Sequence, residues 1–130
     1  MRVLLDTNAY SLHAGGHKEV VDLVISAEEI LMSVIVLGEL LAGFHRGSRF
    51  MQNYSGLEDF LATPRVSVVE IGTATAEHYG QILASMLAKG RPIPTNDVWI
   101  AAHAMETGAE LISADRHFEQ VDGIAWTRVG

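Results

Sequence analysis

The chain has 130 residues, of which 48% are hydrophobic and 19% are charged, and this composition predicts a single domain over residues 1–130 with a core of its own. It has no cysteine, which excludes disulfides, thiolate catalysis and cysteine-ligated zinc, and it lacks both an apolar run of about 18 residues and a signal-peptide pattern, which predicts a cytoplasmic protein. The net charge of −7 argues against a broad, non-specific attraction to nucleic acid, whose phosphates favour a basic surface.

The first predicted element is a buried strand that ends in a carboxylate. Val3, Leu4 and Leu5 form an apolar run that is typical of a strand covered on both faces. Asp6 follows this run directly. Because ligands of open α/β sheets bind in the crevice beyond the carboxyl ends of the strands, we expect Asp6 at the mouth of such a crevice. Thr7 and Asn8 offer side chains that can cap the helix after it.

Helices and strands alternate along the rest of the chain. Further strands are predicted at residues 30–32, 65–71 and 111–113, with a last edge strand at 124–126. Helices are predicted at residues 17–27, from the cap Ser33 through Phe44 with its end loosened by Gly43 and Gly47, at 48–62 with a break near Gly56, from the cap Thr73 to Lys89, and from a cap at Thr95 or Asn96 to Gly108. Within 48–62, Met51 and Tyr54 are expected to face the core. This alternation predicts an α/β fold with a mostly parallel sheet covered on both faces.

A small basic cluster lies at the end of the helix that is predicted after Ser33. His45, Arg46 and Arg49 are the only dense group of basic side chains in the chain. Contact of Arg46 and Arg49 with the phosphates of a nucleic acid is one interpretation. A solvated helix end is the alternative, and the sequence leaves both open.

Four carboxylates occupy related positions in this arrangement. Asp6 and Asp115 each follow a predicted strand, Asp97 lies in the first turn of a helix, and Glu39 is the only acid on an otherwise apolar helix. Taken singly, the aspartates are explained as helix caps or as acids that the helix dipole favours. Taken together, they lie where α/β proteins place their ligand sites, which favours one shared acidic centre.

Such a centre needs positive charge. Two like charges about 4 Å apart repel by roughly 4 kcal/mol at an effective dielectric of about 20, so the cluster must take up protons or a cation. A site built only from oxygen ligands suits Mg²⁺ or Mn²⁺, and a water bound to such an ion is a natural nucleophile. A bound cation would also offset the negative charge that disfavours nucleic acid.

Four segments, in order along nearly the whole chain, resemble the successive motifs of the PIN-domain ribonucleases, and the length is similar to that of the VapC-type toxins of prokaryotic toxin–antitoxin modules. The segments are Val3-Leu-Leu-Asp-Thr-Asn8, Glu39-Leu-Leu-Ala-Gly43, Asn96-Asp-Val-Trp-Ile-Ala-Ala102 and Leu111-Ile-Ser-Ala-Asp-Arg-His-Phe118. The family pattern often has threonine where this chain has Ser113, which keeps the hydroxyl.

The resemblance implies a fold, a site and a reaction. The fold is a PIN-like three-layer α/β/α sandwich with a mostly parallel central sheet. The catalytic acids, which also bind one or two Mg²⁺ or Mn²⁺ ions, are Asp6, Glu39, Asp97 and Asp115. Three polar neighbours are expected to orient carboxylates or water, namely Thr7, Asn96 and Ser113. The reaction is hydrolysis of an RNA phosphodiester by metal-activated water, which leaves a 5′-phosphate and requires no histidine as general base.

The resemblance also implies partners. These are an RNA substrate, a cognate VapB-like antitoxin whose tail covers the acidic pocket, and a second copy of the chain in a homodimer. Arg116 and His117 follow Asp115 directly and are candidates for contact with RNA or with the antitoxin.

Competing functions separate on a few residues. A haloacid-dehalogenase phosphatase needs a second acid two residues after the first, and Asn8 stands there instead. A response-regulator receiver needs an acidic pair, a phosphoacceptor aspartate in mid-chain and a late lysine, none of which is evident. The remaining alternative is a non-catalytic PIN-fold module that binds other proteins. An assay for RNA cleavage with a divalent metal distinguishes it from a nuclease.

Overall fold

A computed structural model describes residues 1–130, and its centre is a sheet of five parallel strands. The strands are β1 (Arg2–Leu5), β2 (Glu29–Ser33), β3 (Val66–Val69), β4 (Glu110–Ser113) and β5 (Trp126–Arg128), in the spatial order β3-β2-β1-β4-β5. All four neighbouring pairs run parallel. In the middle of the sheet, Leu4 lies between Leu31 and Leu111 and is fully buried, which confirms β1 as a strand covered on both faces.

Six α-helices cover the sheet. They are α1 (Thr7–Ala14), α2 (Lys18–Ser26), α3 (Val34–Arg46), α4 (Phe50–Leu61), α5 (Thr73–Ala88) and α6 (Thr95–Thr107), and a short 3₁₀ helix spans Arg116–Gln120. Helix α1 packs on α2 and α3, and α3 packs on α4, whereas α5 packs mainly on α6. Because parallel crossovers are right-handed, the change of direction at β1 puts these two groups on opposite faces. The predicted three-layer α/β/α arrangement is therefore confirmed. None of the helices combines the length and hydrophobicity that a membrane crossing requires.

The strand order creates a crevice beside β1. The chain builds outward from β1 to β2 and β3, and then returns to place β4 and β5 on the other side of β1. At such a switch point, the segments that leave the two central strands diverge and open a ligand crevice. Asp6 follows β1 and Asp115 lies two residues beyond β4. The Asp6 N–H donates to the Ile112 carbonyl at 3.2 Å, so the two segments are joined at the crevice.

Helix α4 differs from its prediction. It is continuous through Gly56, and Met51 and Tyr54 lie on its outer side, with Met51 77% exposed. Only Leu57 is fully buried, so the helix contacts the core along a narrow stripe. A glycine in a helix costs only about 1 kcal/mol, which a helix anchored by a buried leucine tolerates. The predicted break and the predicted inward positions of Met51 and Tyr54 were wrong.

Three predicted caps and one strand are also displaced. Asp6 caps α1 instead of Thr7 or Asn8, Gly72 precedes α5 instead of Thr73, and Pro94 precedes α6. At α5 the cause is Thr75, whose hydroxyl accepts the Gly72 N–H at 3.0 Å and starts the helix one residue early. The last strand lies two residues later than predicted, at Trp126–Arg128.

A buried histidine links the two helices that carry acids of the crevice. Nδ1 of His103, on α6, lies 2.9 Å from the Ser33 hydroxyl, and Nε2 lies 3.2 Å from the Glu70 carbonyl. Since a carbonyl can only accept, Nε2 carries the proton and Nδ1 accepts from Ser33. Ser33 in turn caps α3 by accepting the Ile35 N–H at 3.1 Å. Burial lowers the pKa of His103, which keeps the ring neutral and the link between α3 and α6 intact.

Candidate metal centre

Asp6 serves as a helix cap and as a wall of the crevice at once. Its Oδ1 accepts the Ala9 N–H at 2.8 Å, which caps α1, and its Oδ2 accepts the hydroxyl of Ser113. The side chain is only 5% exposed. Burial raises the pKa of the Asp6 carboxyl to about 6; the bonds from Ser113 and Ala9 lower this pKa, and the negative charges of Asp97 and Asp115 raise it. An ionised Asp6 is therefore costly for the folded protein.

Glu39 reaches the same crevice from α3 and is held by two polar side chains. Its Oε1 accepts the Thr7 hydroxyl at 2.6 Å, and its Oε2 accepts the Asn96 amide at 3.3 Å. Thr7 begins α1 and Asn96 lies in the first turn of α6. Three different helices thus meet at one carboxylate, which fixes its position relative to the other acids.

Asp97 and Asp115 approach from α6 and from the segment after β4. Asp115 caps the 3₁₀ helix by accepting the His117 N–H on Oδ1 at 2.9 Å, and its own N–H donates to the Ser113 hydroxyl oxygen at 2.9 Å. Ser113 therefore joins Asp115 to Asp6. Burial raises the pKa of Asp97, a hydrogen bond from His117 lowers it, and the charge of Asp115 raises it further.

The four predicted acids line one open pocket, whose wall consists of Asp6, Thr7, Asn8, Glu39, Asp97, Ile100 and Asp115. No lysine or arginine forms an ion pair with any of these acids; the only basic side chain paired with them is His117, which lies beside Asp97 and Asp115. At an effective dielectric of about 20, like charges about 4 Å apart repel by roughly 4 kcal/mol. One imidazole cannot neutralise four carboxylates. The donor set of oxygen atoms with one adjacent nitrogen fits a hard divalent cation such as Mg²⁺ or Mn²⁺.

His117 was considered from the sequence only as a contact for RNA or antitoxin, and its place among the acids was missed. Its Nδ1 lies 2.9 Å from Asp97 Oδ2 and 3.1 Å from Asp115 Oδ2. The hydrogen bond to Asp97 raises the pKa of His117. The sequence offered a partial signal, because an aspartate commonly accepts the backbone N–H two residues later, as Asp115 does from His117. The direction of the imidazole depends on the tertiary fold.

The predicted basic residues lie around the pocket, not in it. Arg46, Arg49 and Arg116 are exposed, and none forms an ion pair with the acids. Arg46 is seven residues after Glu39, so it lies on the same side of α3, about 10 Å along the helix axis. Arg49 precedes α4, and Arg116 opens the 3₁₀ helix next to Asp115.

Proteins of similar sequence include two bacterial nucleases. The chain is 31% identical over 109 residues to "Ribonuclease VapC1" of Haemophilus influenzae, an alignment that covers 83% of this chain and 80% of the relative. It is 32% identical over 97 residues to "tRNA(fMet)-specific endonuclease VapC" of Shigella flexneri, with 74% of this chain and 72% of the relative covered.

The fold is also similar to that of a chain in a solved structure. VapBC2 from Rickettsia felis, solved bound to a DNA fragment from its promoter, contains a chain that matches this one with a TM-score of 0.88 and 26% identity over the full length of both. The family model of the PIN domain matches residues 3–124, a span that contains all four acids. The chain therefore belongs to the PIN domain family.

Proposed function

We propose that residues 1–130 form one PIN domain that acts in the cytoplasm as a Mg²⁺- or Mn²⁺-dependent endoribonuclease, the toxin partner of a small VapB-like antitoxin. The observation that carries this proposal is the convergence of four carboxylates, from four separate parts of the chain, on one pocket with no lysine or arginine partner. The named activities of its relatives, a ribonuclease and a tRNA endonuclease, support RNA as the substrate class.

The side chains divide the work of binding and orientation. Asp6, Asp97 and Asp115 would hold the cation, and Glu39 faces the same space with both of its oxygens already oriented by Thr7 and Asn96. When bound, a divalent cation here supplies a nucleophilic water at neutral pH and neutralises charge on the phosphate. Hydrolysis adds water across the bond between phosphorus and the 3′-oxygen, and it leaves a 5′-phosphate and a 3′-hydroxyl.

The proposal predicts that Asp97→Asn abolishes cleavage while the protein stays folded. The amide has the size of the carboxylate and its oxygen can still accept from His117, but a charged ligand is lost, so we expect RNA cleavage to fall more than about 100-fold. EDTA should do the same to the wild type. The measurement is cleavage of a labelled RNA by antitoxin-free protein with Mg²⁺ or Mn²⁺.

Asp59→Asn is the matched control for this experiment, because Asp59 is exposed on α4 and makes no ion pair. It should cleave as the wild type does. Full activity of Asp97→Asn, or of the wild type in EDTA, contradicts the proposal. A wild type that cuts no RNA with either metal favours the alternative, a non-catalytic module that binds protein.

A second prediction uses stability to separate a functional acid from a structural one. The pKa of Asp6 is raised from 3.8 to about 6 in the folded protein, so between these values the folded state binds more protons than the unfolded state, and stability falls as pH rises. Metal-free Asp6→Asn should therefore be more stable than the wild type at pH 7.5, by about 3 kcal/mol. The asparagine can still accept from Ala9 and can donate to the Ser113 oxygen.

The measurement is urea unfolding of both proteins in EDTA at several pH values. The advantage of the variant should shrink as pH falls from about 6 toward 4, because the wild-type carboxyl becomes protonated. If Asp6→Asn is less stable than the wild type at pH 7.5, then Asp6 contributes to stability mainly as a cap and its raised pKa has no functional meaning.

Arg46, Arg49 and Arg116 are proposed to contact RNA phosphates beside the acids, because each is exposed and has no acidic partner. Replacing Arg46 and Arg49 together by glutamine should weaken RNA binding and reduce the slope of log affinity against log salt by about two. Lys18→Gln, an exposed residue paired with Asp22 on α2, should leave that slope unchanged. An unchanged slope in the double variant means that the cluster is only a solvated helix end.

A second copy of the chain is also proposed as a partner, following the family resemblance. The surface retains large exposed apolar side chains, of which Met51 at 77%, Ile25 at 68% and Leu87 at 61% are the most accessible, and such surface is commonly covered in assemblies. Light scattering at micromolar concentration should give about twice the 14.1 kDa of one chain. A mass of one chain would contradict the homodimer.

A further inference from the structure

We propose that His117 provides a nitrogen ligand to the cation held by Asp97 and Asp115, and that this centre consequently prefers Mn²⁺ to Mg²⁺. The inference rests on the proposed function, in which the carboxylates bind a divalent cation, and adds to it the identity of one more ligand and the selectivity that follows.

The imidazole of His117 lies against both carboxylates. Nδ1 of His117 lies 2.9 Å from Asp97 Oδ2 and 3.1 Å from Asp115 Oδ2, and the three atoms can face one ion. Ligands about 2.1 Å from an octahedral cation stand about 3 Å apart when they are adjacent. The two separations from Nδ1 are those of adjacent ligands in an octahedron, and the ligand atoms of all three residues lie within 4.8 Å of one another.

The local structure turns Asp115 Oδ2 and the ring of His117 toward each other and holds the backbone between them in place. Asp115 uses Oδ1 to accept the His117 N–H at 2.9 Å and turns Oδ2 toward the ring. The next residue, Phe118, is 1% exposed and anchors the 3₁₀ helix in the core. The backbone of His117 is therefore held between a cap and a buried aromatic side chain, while its ring is 47% exposed and open to solvent.

A nitrogen donor changes which cation the centre prefers. Imidazole nitrogen is a good ligand for first-row transition ions, whereas Mg²⁺ prefers oxygen and retains its waters. When the cation binds, it replaces the proton that Nδ1 shares with the carboxylates, and that proton passes to Nε2 or to solvent. Loss of an oxygen ligand would lower the affinity of the site for both ions. Loss of His117 should lower mainly the affinity for Mn²⁺.

The experiment measures binding rather than cleavage. Mn²⁺ affinity is measured by electron paramagnetic resonance, Mg²⁺ affinity by competition, and coordination by electron spin echo modulation from ¹⁴N of the bound Mn²⁺. The proteins are the wild type, His117→Ala, His117→Gln and, as the control, His45→Ala, which removes an exposed histidine at the end of α3. Circular dichroism verifies that each is folded.

The wild type and His45→Ala should show imidazole ¹⁴N modulation, and both His117 variants should lose it. Removal of His117 should raise the Kd for Mn²⁺ by about 10–100-fold and that for Mg²⁺ by less than about 3-fold. Absence of ¹⁴N modulation in the Mn²⁺-loaded wild type overturns the inference. Equal weakening of both ions also overturns it, because His117 would then only position the carboxylates, and so does tighter binding of both, because the ring would then compete with the ion.

The same data separate this inference from the proposed function. If the wild type binds Mn²⁺ without ¹⁴N modulation and Asp97→Asn abolishes that binding, the carboxylate site stands and only the role of His117 is wrong. If the wild type binds neither ion, both are wrong.

Discussion

The repulsion among four carboxylates at one edge of a parallel sheet is the constraint on which the arrangement of this molecule depends. Asp6 and Asp115 are brought together because β1 and β4 are neighbours at the switch point of the sheet, and Glu39 and Asp97 because α3 and α6 meet above it. Each carboxylate is held by hydrogen bonds. Asp6 accepts from Ala9 and Ser113, and Glu39 accepts from Thr7 and Asn96. Asp97 and Asp115 both accept from His117. The fold thus keeps together charges that would otherwise separate, which is a state that a ligand of opposite charge stabilises.

Two of these acids combine roles that a sequence-based argument treats as alternatives. Asp6 and Asp115 each use one oxygen to cap a helix and turn the other toward a neighbour in the site, Ser113 for Asp6 and His117 for Asp115. Capping by itself would favour any of several polar residues, including serine and asparagine. Because a cap orients the carboxylate along a helix axis, capping also fixes the carboxylate in the pocket. Helix capping and a role in the acidic site are therefore compatible for each aspartate.

The sequence predicted those features that depend on local apolar pattern. The strand at Val3–Leu5 was predictable because its residues are apolar on both faces. The placement of the acids was predictable because Asp6 and Asp115 follow such runs, Glu39 interrupts one and Asp97 precedes one at a helix start. What escaped prediction depends on tertiary contacts. Met51 and Tyr54 are apolar and helically spaced, yet from that helix only Leu57 is fully buried, with Phe60 and Leu61 packed against the core. His117 reaches the acids through a turn of the backbone that no periodicity records.

The buried link from His103 through Ser33 constrains how this chain can vary. The buried ring accepts from the buried Ser33 hydroxyl and donates to the Glu70 carbonyl in a part-buried bond. An apolar residue at position 103 leaves both without a partner, and loss of the hydroxyl at position 33 leaves a ring nitrogen unsatisfied, at a cost of about 1–3 kcal/mol for each buried group. Single substitutions at either position are therefore penalised more than a joint exchange, and the two positions are expected to change in pairs during evolution.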